Sequence, residues 1–352
     1  MPERQLSARS SVTMADIAKA LGLHKSSVSL ALKNHSSIPE ARRKEIQETA
    51  KRMGYSPNAM AISLAHYRHQ SRAIPVRAEL AWINPYPDPK QLHAAREFSL
   101  YWRGASQAAE KFGYRLEEFC VNDTEPLLRL ERTFLARNIR GIIIAPLPTG
   151  EARVDWEAFD WSKFSAVRLG RRSQAPEVHF VTSAQAANAL LAFQKIRERG
   201  YERIAFAGTL EKPRMFGAGF YWAQQELSRT RQLPPFFLTI GRSVPSQQRS
   251  FETWIKKTKP DAILADNPAV PQMIKEAGYR VPQDIGLAGT TLLDISVDAG
   301  IDQNPEEIGR VATLVVISLI HDNAQGVPPI LREILVRGHW VDGTSLPTRV
   351  KK

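Results

Sequence analysis

The sequence lacks the residues that build disulfide frameworks and multi-cysteine metal sites. Cys120 is the single cysteine among 352 residues, so an internal disulfide is excluded. No apolar run reaches the roughly 18 residues that a membrane-spanning helix needs. The opening residues MPERQLSARSSV contain no apolar core of a signal peptide. We therefore expect a cytoplasmic protein with no membrane partner.

Catalytic signatures are also missing. The sequence contains no H-E-x-x-H motif, no G-x-S-x-G motif and no glycine-rich phosphate-binding loop. Its eight histidines are scattered along the chain, and a lone histidine near an acid is more often structural than catalytic. We therefore predict that the protein is not an enzyme, with no catalytic residue, no metal ligand and no cofactor.

Positive charge, in contrast, is in excess. The chain carries a formal net charge of +12, of which +7 falls within the first 72 residues. A basic surface attracts polyanions, although many basic surfaces are simply solvated. The uneven distribution makes the N-terminal segment the candidate for a polyanionic partner.

The N-terminal segment has the pattern of three short helices, within residues 13–53. Thr13 is suited to cap the first helix, Gly22 to make a turn, and Pro39 to open the third helix, which ends at Gly54. The second helix is expected over about 25–32. The residues predicted to face the small core are Ile17, Ala18, Leu21, Val28, Ala31 or Leu32, Ile46, Ala50 and Met53.

Beyond a linker at 68–77, short apolar strands alternate with amphipathic helices. This alternation is typical of parallel sheets covered on both faces, and there are too many units for one sheet. The fold class is therefore α + α/β: a three-helix helix-turn-helix head plus a hinge helix, then two doubly wound parallel-sheet α/β subdomains. The predicted strands are 78–83, 115–121, 141–147, 165–170, 179–183, 203–208, 235–240, 262–266 and 285–290, with helices such as 99–113 and 184–200 between them.

The segment 12–65 resembles the DNA-binding head of the LacI family of bacterial transcription regulators. The family pattern V-T-x-x-D-I/V-A-x-x-A-G-V-S-x-x-T-V-S-R-x-L-N stands here as VTMADIAKALGLHKSSVSLALKN. The phrases GIIIAPL, RGYERIAFAG, PDAILADNPAV, AGYRVPQDIGLAG and IDQNPEEIGRVA follow the order of the family's sensor, which has the periplasmic-binding-protein fold.

The resemblance implies a set of domain boundaries. We predict a disordered tail over 1–11, a helix-turn-helix DNA-binding domain over 12–57, and a hinge helix and linker over 58–77. A sensor and dimerisation core over 78–342 and a second tail over 343–352 follow. The chain is expected to cross between subdomains near 172–180, 300 and 325.

The second helix is expected to enter the major groove, which is about 12 Å wide and accepts one helix. The residues expected to contact base edges are Lys25, Ser26 and Leu30. Those expected to contact phosphates are Ser27, Ser29 and Lys33, and those expected at the backbone and groove edge are Thr13 and Met14. The family usually has arginine at Leu30, and serine at His24 and Pro39. Leucine offers only apolar contact, for instance to a thymine methyl. At the base pair that Leu30 contacts, the operator should therefore differ from the common consensus of the family.

The resemblance also implies a hinge helix, within 58–67, that pairs with its dimer mate and wedges Leu64 into the minor groove. Asn58 and Ala61 match the family's hinge, and Tyr55 would contact the DNA backbone. Such wedges unstack a base step and bend the duplex. A lone leucine on a short helix could instead pack on the core. Because the hinge works as a pair, a homodimer on a pseudo-palindromic operator follows.

In the family a small molecule, often a sugar or nucleobase, occupies the cleft between the subdomains. The matching candidates here are Arg214, Phe216, Trp222, Asp266 and Thr291. The usual arginine is replaced by Phe216, and Thr290 and Thr291 replace an aspartate pair. The arginine and the aspartate pair are groups that orient a polyol, and both are missing here. The effector could therefore be another kind of metabolite than a common sugar.

Three functions remain open at this point. The first is an operator-binding regulator, expected to be a repressor, whose affinity a small molecule modulates. The second is a regulator whose core responds to a protein partner or only forms the dimer. The third, of another class, is a solute-binding protein. Such a protein shares the core fold, but it needs export and has no use for a basic head.

Overall fold

The computed structural model describes residues 12, 14–32, 34–35, 37–53, 55, 78–121, 127–146, 154, 156–170, 176–209, 215–239, 241 and 243–349. Internal contacts divide the chain into two units, Met1–Ile74 and Pro75–Lys352. We describe the first as the head and the second as the core.

The head contains three helices, α1 (Met14–Leu21), α2 (Lys25–Leu32) and α3 (Glu40–Arg52). Ile17, Val28 and Ile46 contribute one fully buried side chain from each helix to a common core. Gly22 ends α1 with a φ of +63°, a conformation that glycine adopts without strain. Pro39 stands directly before α3, where its missing N–H leaves no hydrogen bond unmade.

The core contains twelve strands and eight α-helices among its described residues. The strands are β1 (Ala78–Asn84), β2 (Tyr114–Cys120), β3 (Gly141–Ile144), β4 (Ser165–Leu169), β5 (His179–Ser183), β6 (Ile204–Thr209), β7 (Phe236–Leu238), β8 (Ala262–Asp266), β9 (Gly286–Gly289), β10 (Gly300–Asp302), β11 (Glu333–Val336) and β12 (His339–Val341). The helices are α4 (Pro89–Ala94), α5 (Arg96–Lys111), α6 (Leu127–Ala136), α7 (Gln185–Glu198), α8 (Phe216–Gln224), α9 (Val244–Thr258), α10 (Val270–Glu276) and α11 (Pro305–His321).

The strands form two six-stranded sheets, each covered on both faces. The first has the order β11-β5-β4-β3-β1-β2 and is parallel throughout; the second has the order β12-β10-β9-β8-β6-β7, with only β12 antiparallel. Successive β1 residues alternate between two hydrophobic cores, Leu80 and Trp82 in one, Ala81 and Ile83 in the other. In the second sheet, Ile204 and Phe206 of β6 lie in one core and Ala205 and Ala207 in the other. Both sheets are thus covered on both faces, which confirms the predicted pair of doubly wound subdomains.

The chain passes between the sheets after Ser183, after Asp302 and after Val336. We predicted the first passage near 172–180 and the third near 325, and both lie later than predicted. The first is displaced because β5 still belongs to the first sheet. The third is displaced because β11, a strand that we did not predict, pairs with β5 before the chain crosses.

The predicted C-terminal tail is wrong for residues 343–349, which pack on the second subdomain. Leu346 is buried in its core. The backbone N–H of Ser345 donates to Asp298 Oδ1 at 2.8 Å, and the Tyr201 hydroxyl donates to the Pro347 carbonyl at 3.0 Å. Burial alone would raise the pKa of Asp298, but the hydrogen bonds that its carboxylate accepts from Thr344 and Ser345 outweigh this effect and lower the pKa. The carboxylate therefore stays charged and holds the segment in place.

Candidate DNA-binding surface and inter-subdomain cleft

Helix α2 buries one side in the head and leaves the other side accessible. Val28 and Ala31 are buried, whereas Lys25 and Ser26 are exposed at the start of the helix. The three other described α2 residues predicted to contact DNA are half-buried: Ser27, Ser29 and Leu30. The start of α2 is therefore the open, polar end, where a recognition helix presents side chains to base edges.

An imidazole caps this end of α2. His24 Nδ1 accepts the backbone N–H of Ser26 at 3.4 Å and lies 2.7 Å from the Ser26 hydroxyl. A serine, the usual family residue here, also caps helices through an acceptor oxygen. His24 therefore keeps the capping function with a larger side chain, a role that the sequence pattern alone did not reveal.

Side chains of α3 hold the other end of α2. Gln47 Nε2 donates to the Ala31 carbonyl at 3.0 Å and to Asn34 Oδ1 at 2.6 Å, while Arg43 donates to the Asn34 carbonyl at 2.8 Å. These bonds satisfy carbonyls that a helix end leaves without partners. One arginine of the basic head thus has a structural use.

The remaining predicted DNA contacts divide into two groups. Met14 and Tyr55 are half-buried and pack against the core of the head, so each can show only part of its side chain to DNA. The others, Thr13, Lys33, Asn58, Ala61 and Leu64, lie outside the described residues, as does the effector candidate Arg214.

A cavity of about 350 Å³ lies where the two subdomains meet. It is bordered by the first turns of α5 and α11, from the first subdomain, and by the segments that follow β9 and β10, from the second. Its lining residues are Glu97, Leu100, Thr291, Leu292, Leu293, Asp302, Gln303, Asn304, Pro305, Glu306 and Glu307. Of the predicted effector residues, Thr291 is in this set.

Among the polar side chains that line the cavity, carboxylates are the most numerous. Glu306 pairs with Arg103, and Glu307 pairs with Arg310 at 2.6 Å, which lowers the pKa of Glu307. Glu97 accepts the Tyr101 hydroxyl at 2.6 Å. The Arg310 partner favours the charged form of the Glu307 carboxylate, and a charged carboxylate acts only as an acceptor. The cavity is therefore suited to a ligand rich in hydroxyl or amine donors.

Asp266 lies behind the cavity. It is buried at the end of β8 and its Oδ1 accepts the Thr290 hydroxyl at 2.7 Å, while Gln303 Nε2 donates to the Thr290 carbonyl at 2.8 Å. Asp266 is not among the lining residues. The sequence did not single out Gln303, although its place directly after β10, at the carboxyl end of a parallel strand, is where open α/β sheets bind ligands.

Helix α8 carries the two aromatic effector candidates on different sides. Phe216 is 1% exposed and packs in the hydrophobic core of the second subdomain, whereas Trp222 is 73% exposed. Neither residue lines the cavity. Phe216 takes the inward position because α8 buries the face that it shares with Gly219, Phe220 and Ala223.

In the part of the chain that the structure describes, no helix is long and apolar enough to cross a membrane. No group of three or more histidine, cysteine, aspartate or glutamate side chains there is placed to hold a metal ion.

A three-helix head with an accessible second helix, together with a two-subdomain sensor-like core, defines a DNA-binding transcription regulator. Residues 13–58 match the model of bacterial regulatory proteins of the lacI family, and residues 193–346 match a periplasmic binding protein-like domain. The chain therefore carries the DNA-binding head of the lacI family together with a periplasmic binding protein-like domain.

Curated relatives of similar length support this assignment. The HTH-type transcriptional regulator MalR of Streptococcus pneumoniae is 22% identical over 92% of this chain and 97% of that protein. The HTH-type transcriptional regulator KdgR of Bacillus subtilis is 25% identical over 79% of this chain and 80% of that protein. These relatives are regulators and not enzymes, in agreement with the prediction from the sequence.

Solved structures share the fold. A complex of the transcriptional regulator CelR with cellobiose aligns with a TM-score of 0.55 at 16% identity, covering 95% of this chain and 99% of that one. The lac repressor dimer bound to operator and an anti-inducer aligns with a TM-score of 0.52 at 19% identity, covering 96% and 99%.

Proposed function

We propose that this protein is a repressor that binds a pseudo-palindromic operator as a homodimer, with an affinity that a small molecule in the cleft modulates. The observation that carries the effector part is the acceptor-lined cavity of about 350 Å³ at the meeting of the subdomains. A ligand there touches both subdomains, so it can favour one of their relative arrangements over another. A repressor acts on chromosomal DNA, and a cytoplasmic location belongs to the same proposal.

Exposed leucines of α6 support the dimer. Leu128 and Leu135 are 52% and 41% exposed, and a spacing of seven residues places them on one side of the helix. Large apolar side chains grouped on one helix face are typical of surfaces that become covered. A second copy of the chain is the proposed cover, since the lac repressor structure noted above is a dimer.

The acceptor-rich lining supports a polyhydroxylated or amino-bearing effector. The solved CelR structure holds cellobiose, a neutral polyol. A sugar or related metabolite fits the same chemistry here, because carboxylates and the Gln303 carbonyl accept hydroxyl hydrogens. A carboxylate or phosphate ligand would meet like charge at the described lining residues.

The experiment that tests the function begins with selection of bound fragments from a random DNA library. We expect a palindromic site bound by two chains, with affinity that falls as salt rises. Neutral sugars, amino sugars and nucleosides are then screened by thermal shift, and hits are added to the operator complex. A hit that changes operator affinity supports the proposal.

A matched pair of variants locates the effector. Gln303→Ala should weaken a hit's stabilisation by about tenfold in Kd, as expected for loss of a buried hydrogen bond. Gln194→Ala, an exposed glutamine on α7, should bind the hit like the wild type. If no compound stabilises the protein, the alternative gains support: a core that answers a protein partner or only dimerises. The alternative of a solute-binding protein would require that the protein selects no DNA site.

A further inference from the structure

We infer that His24 reads a base edge in the major groove, in addition to capping α2. The inference rests on the proposed binding of a specific operator. It concerns one residue of that interface, at a position where serine is usual in the family and where no base contact was expected from the sequence.

The hydrogen bonds of His24 determine which ring nitrogen faces outward. Nδ1 accepts the Ser26 backbone N–H at 3.4 Å, so Nδ1 cannot itself carry a hydrogen. The Ser26 hydroxyl, 2.7 Å from the same nitrogen, is then the donor of that contact. The neutral imidazole must therefore hold its hydrogen on Nε2.

The Nε2–H group is available to a partner outside the head. His24 is exposed, and Nε2 has no hydrogen-bond partner among the residues that the structure describes. It stands beside Lys25 and Ser26 at the start of α2, the end of a recognition helix that reaches base edges. An imidazole extends farther from the backbone than a serine cap and ends in one oriented donor.

A single oriented donor has defined partners in the major groove. Guanine N7 and O6, adenine N7 and thymine O4 all accept hydrogen bonds there, whereas the cytosine edge offers a donor. His24 should consequently disfavour cytosine on the strand that it faces. Its contact would contribute to specificity at one base pair. Leu30, whose side chain is apolar, would not have to recognise that base pair.

Ser26 acquires a different role from the one predicted. Its hydroxyl hydrogen is used on His24 Nδ1, so the side chain holds the imidazole ring in one orientation. Ser26 is therefore a positioning residue for His24, and its remaining capacity toward DNA is as an acceptor.

The head contains an internal control with the same geometry. His35 Nδ1 lies 2.8 Å from the Ser37 hydroxyl and accepts the Ser37 backbone N–H at 3.2 Å. This second His-x-Ser unit lies beyond the C-terminal end of α2. A substitution there removes the same kind of bond from a backbone N–H to an imidazole, in the turn before α3, without touching the end of α2 that faces base edges.

The test compares the DNA preferences of three proteins, all as full chains. Wild type, His24→Asn and His35→Asn are each used to select fragments from a random library, and affinities are then measured for single base-pair changes in the wild-type site. Asparagine keeps an acceptor for the cap but lacks the extended Nε2–H donor. Circular dichroism and unfolding curves confirm that the variants fold.

We expect His24→Asn to lose about tenfold discrimination at one base pair in each half-site, within the range for one base contact. Discrimination elsewhere, and all preferences of His35→Asn, should stay as in the wild type. Ser26→Ala should relax the same base pair less strongly.

Two outcomes overturn the inference. An unchanged preference of His24→Asn would show that the residue only caps the helix. A uniform loss across all sequences, with a smaller salt dependence, would make His24 a phosphate contact. A wild-type protein that selects no site would instead overturn the proposed function, which distinguishes the two failures.

Discussion

Asp266, Thr290 and Gln303 form a chain of hydrogen bonds at the carboxyl ends of β8, β9 and β10. The Thr290 hydroxyl donates to Asp266, and the Gln303 amide donates to the Thr290 carbonyl. All three residues are buried, and only Gln303 reaches the cavity. Because its amide nitrogen is bound to the protein, its carbonyl oxygen is the group left to accept a hydrogen bond from a ligand. Buried polar residues behind a site commonly orient the group that binds.

The buried histidine His179 makes stability dependent on pH. Its Nδ1 accepts the Arg332 backbone N–H at 3.1 Å, and burial, together with the Arg332 charge, lowers its pKa below the usual value near 6.5. The unfolded chain then binds the proton more readily than the folded one. Stability from this group is complete above the unfolded pKa and falls as pH drops below it.

We therefore expect His179→Asn to flatten the fall of the unfolding temperature between pH 7.5 and 5.5. Asparagine Oδ1 can accept the Arg332 N–H at every pH in that range, because it does not titrate. The measurement is thermal unfolding at several pH values. The exposed His339→Asn should retain the wild-type slope. Identical slopes for wild type and His179→Asn would contradict the expectation.

At the scale of elements, α5 and α11 pack unusually closely. A Cβ on Gly104 would collide with the Glu306 backbone, and a Cβ on Gly309 would collide with the Tyr101 backbone. Arg103 and Glu306 pair at the same crossing, beside the cavity. Two glycines thus bring the helices together, and the helix ends that border the cleft take their positions from that contact.

Gly309→Ala should destabilise the core by about 1–3 kcal/mol, because backbone atoms must move apart to admit the methyl group. Gly217→Ala provides the matched control, since its new Cβ would meet Phe237 at an ordinary 3.5 Å and alanine favours a helix. Denaturant unfolding compares the two. Equal stability of Gly309→Ala and wild type would show that the helices can separate without cost.

The predictable elements are those with a strong local pattern. Strands β1 to β9 lie at predicted positions, with bounds that differ by at most three residues, because each carries a short apolar run. Strands β10, β11 and β12 have only three or four residues each and were not predicted from the sequence. Glu333 and Leu335 on β11 are exposed, so this strand exists through backbone pairing with β5 and not through an apolar pattern.

For the whole molecule, the exposed α6 leucines make dimerisation testable. The double change Leu128→Glu and Leu135→Glu should place charges within the proposed interface and give a monomer. Operator affinity should then fall at least about tenfold, since the two half-sites are no longer bound together. Light scattering after size-exclusion chromatography measures the mass, and anisotropy the affinity.

The control for dimerisation carries the same charges elsewhere. Ile330→Glu and Leu331→Glu alter exposed apolar residues in the segment that leads to β11. This variant should keep the wild-type mass and operator affinity. A dimer that persists in the α6 variant, with an unchanged circular dichroism spectrum, would move the interface to another surface.

The sequence by itself determined the class of protein, the three helices of the head and most strands of the two sheets. Those features follow from local spacing, which a chain carries in its order of residues. Only the tertiary structure decided which polar side chains reach the cleft. Glu97, Thr291 and Gln303 are far apart in the chain and meet because strand ends and helix starts converge there. The same packing turned Asp266 and Phe216 inward, since burial depends on neighbours that no local pattern names.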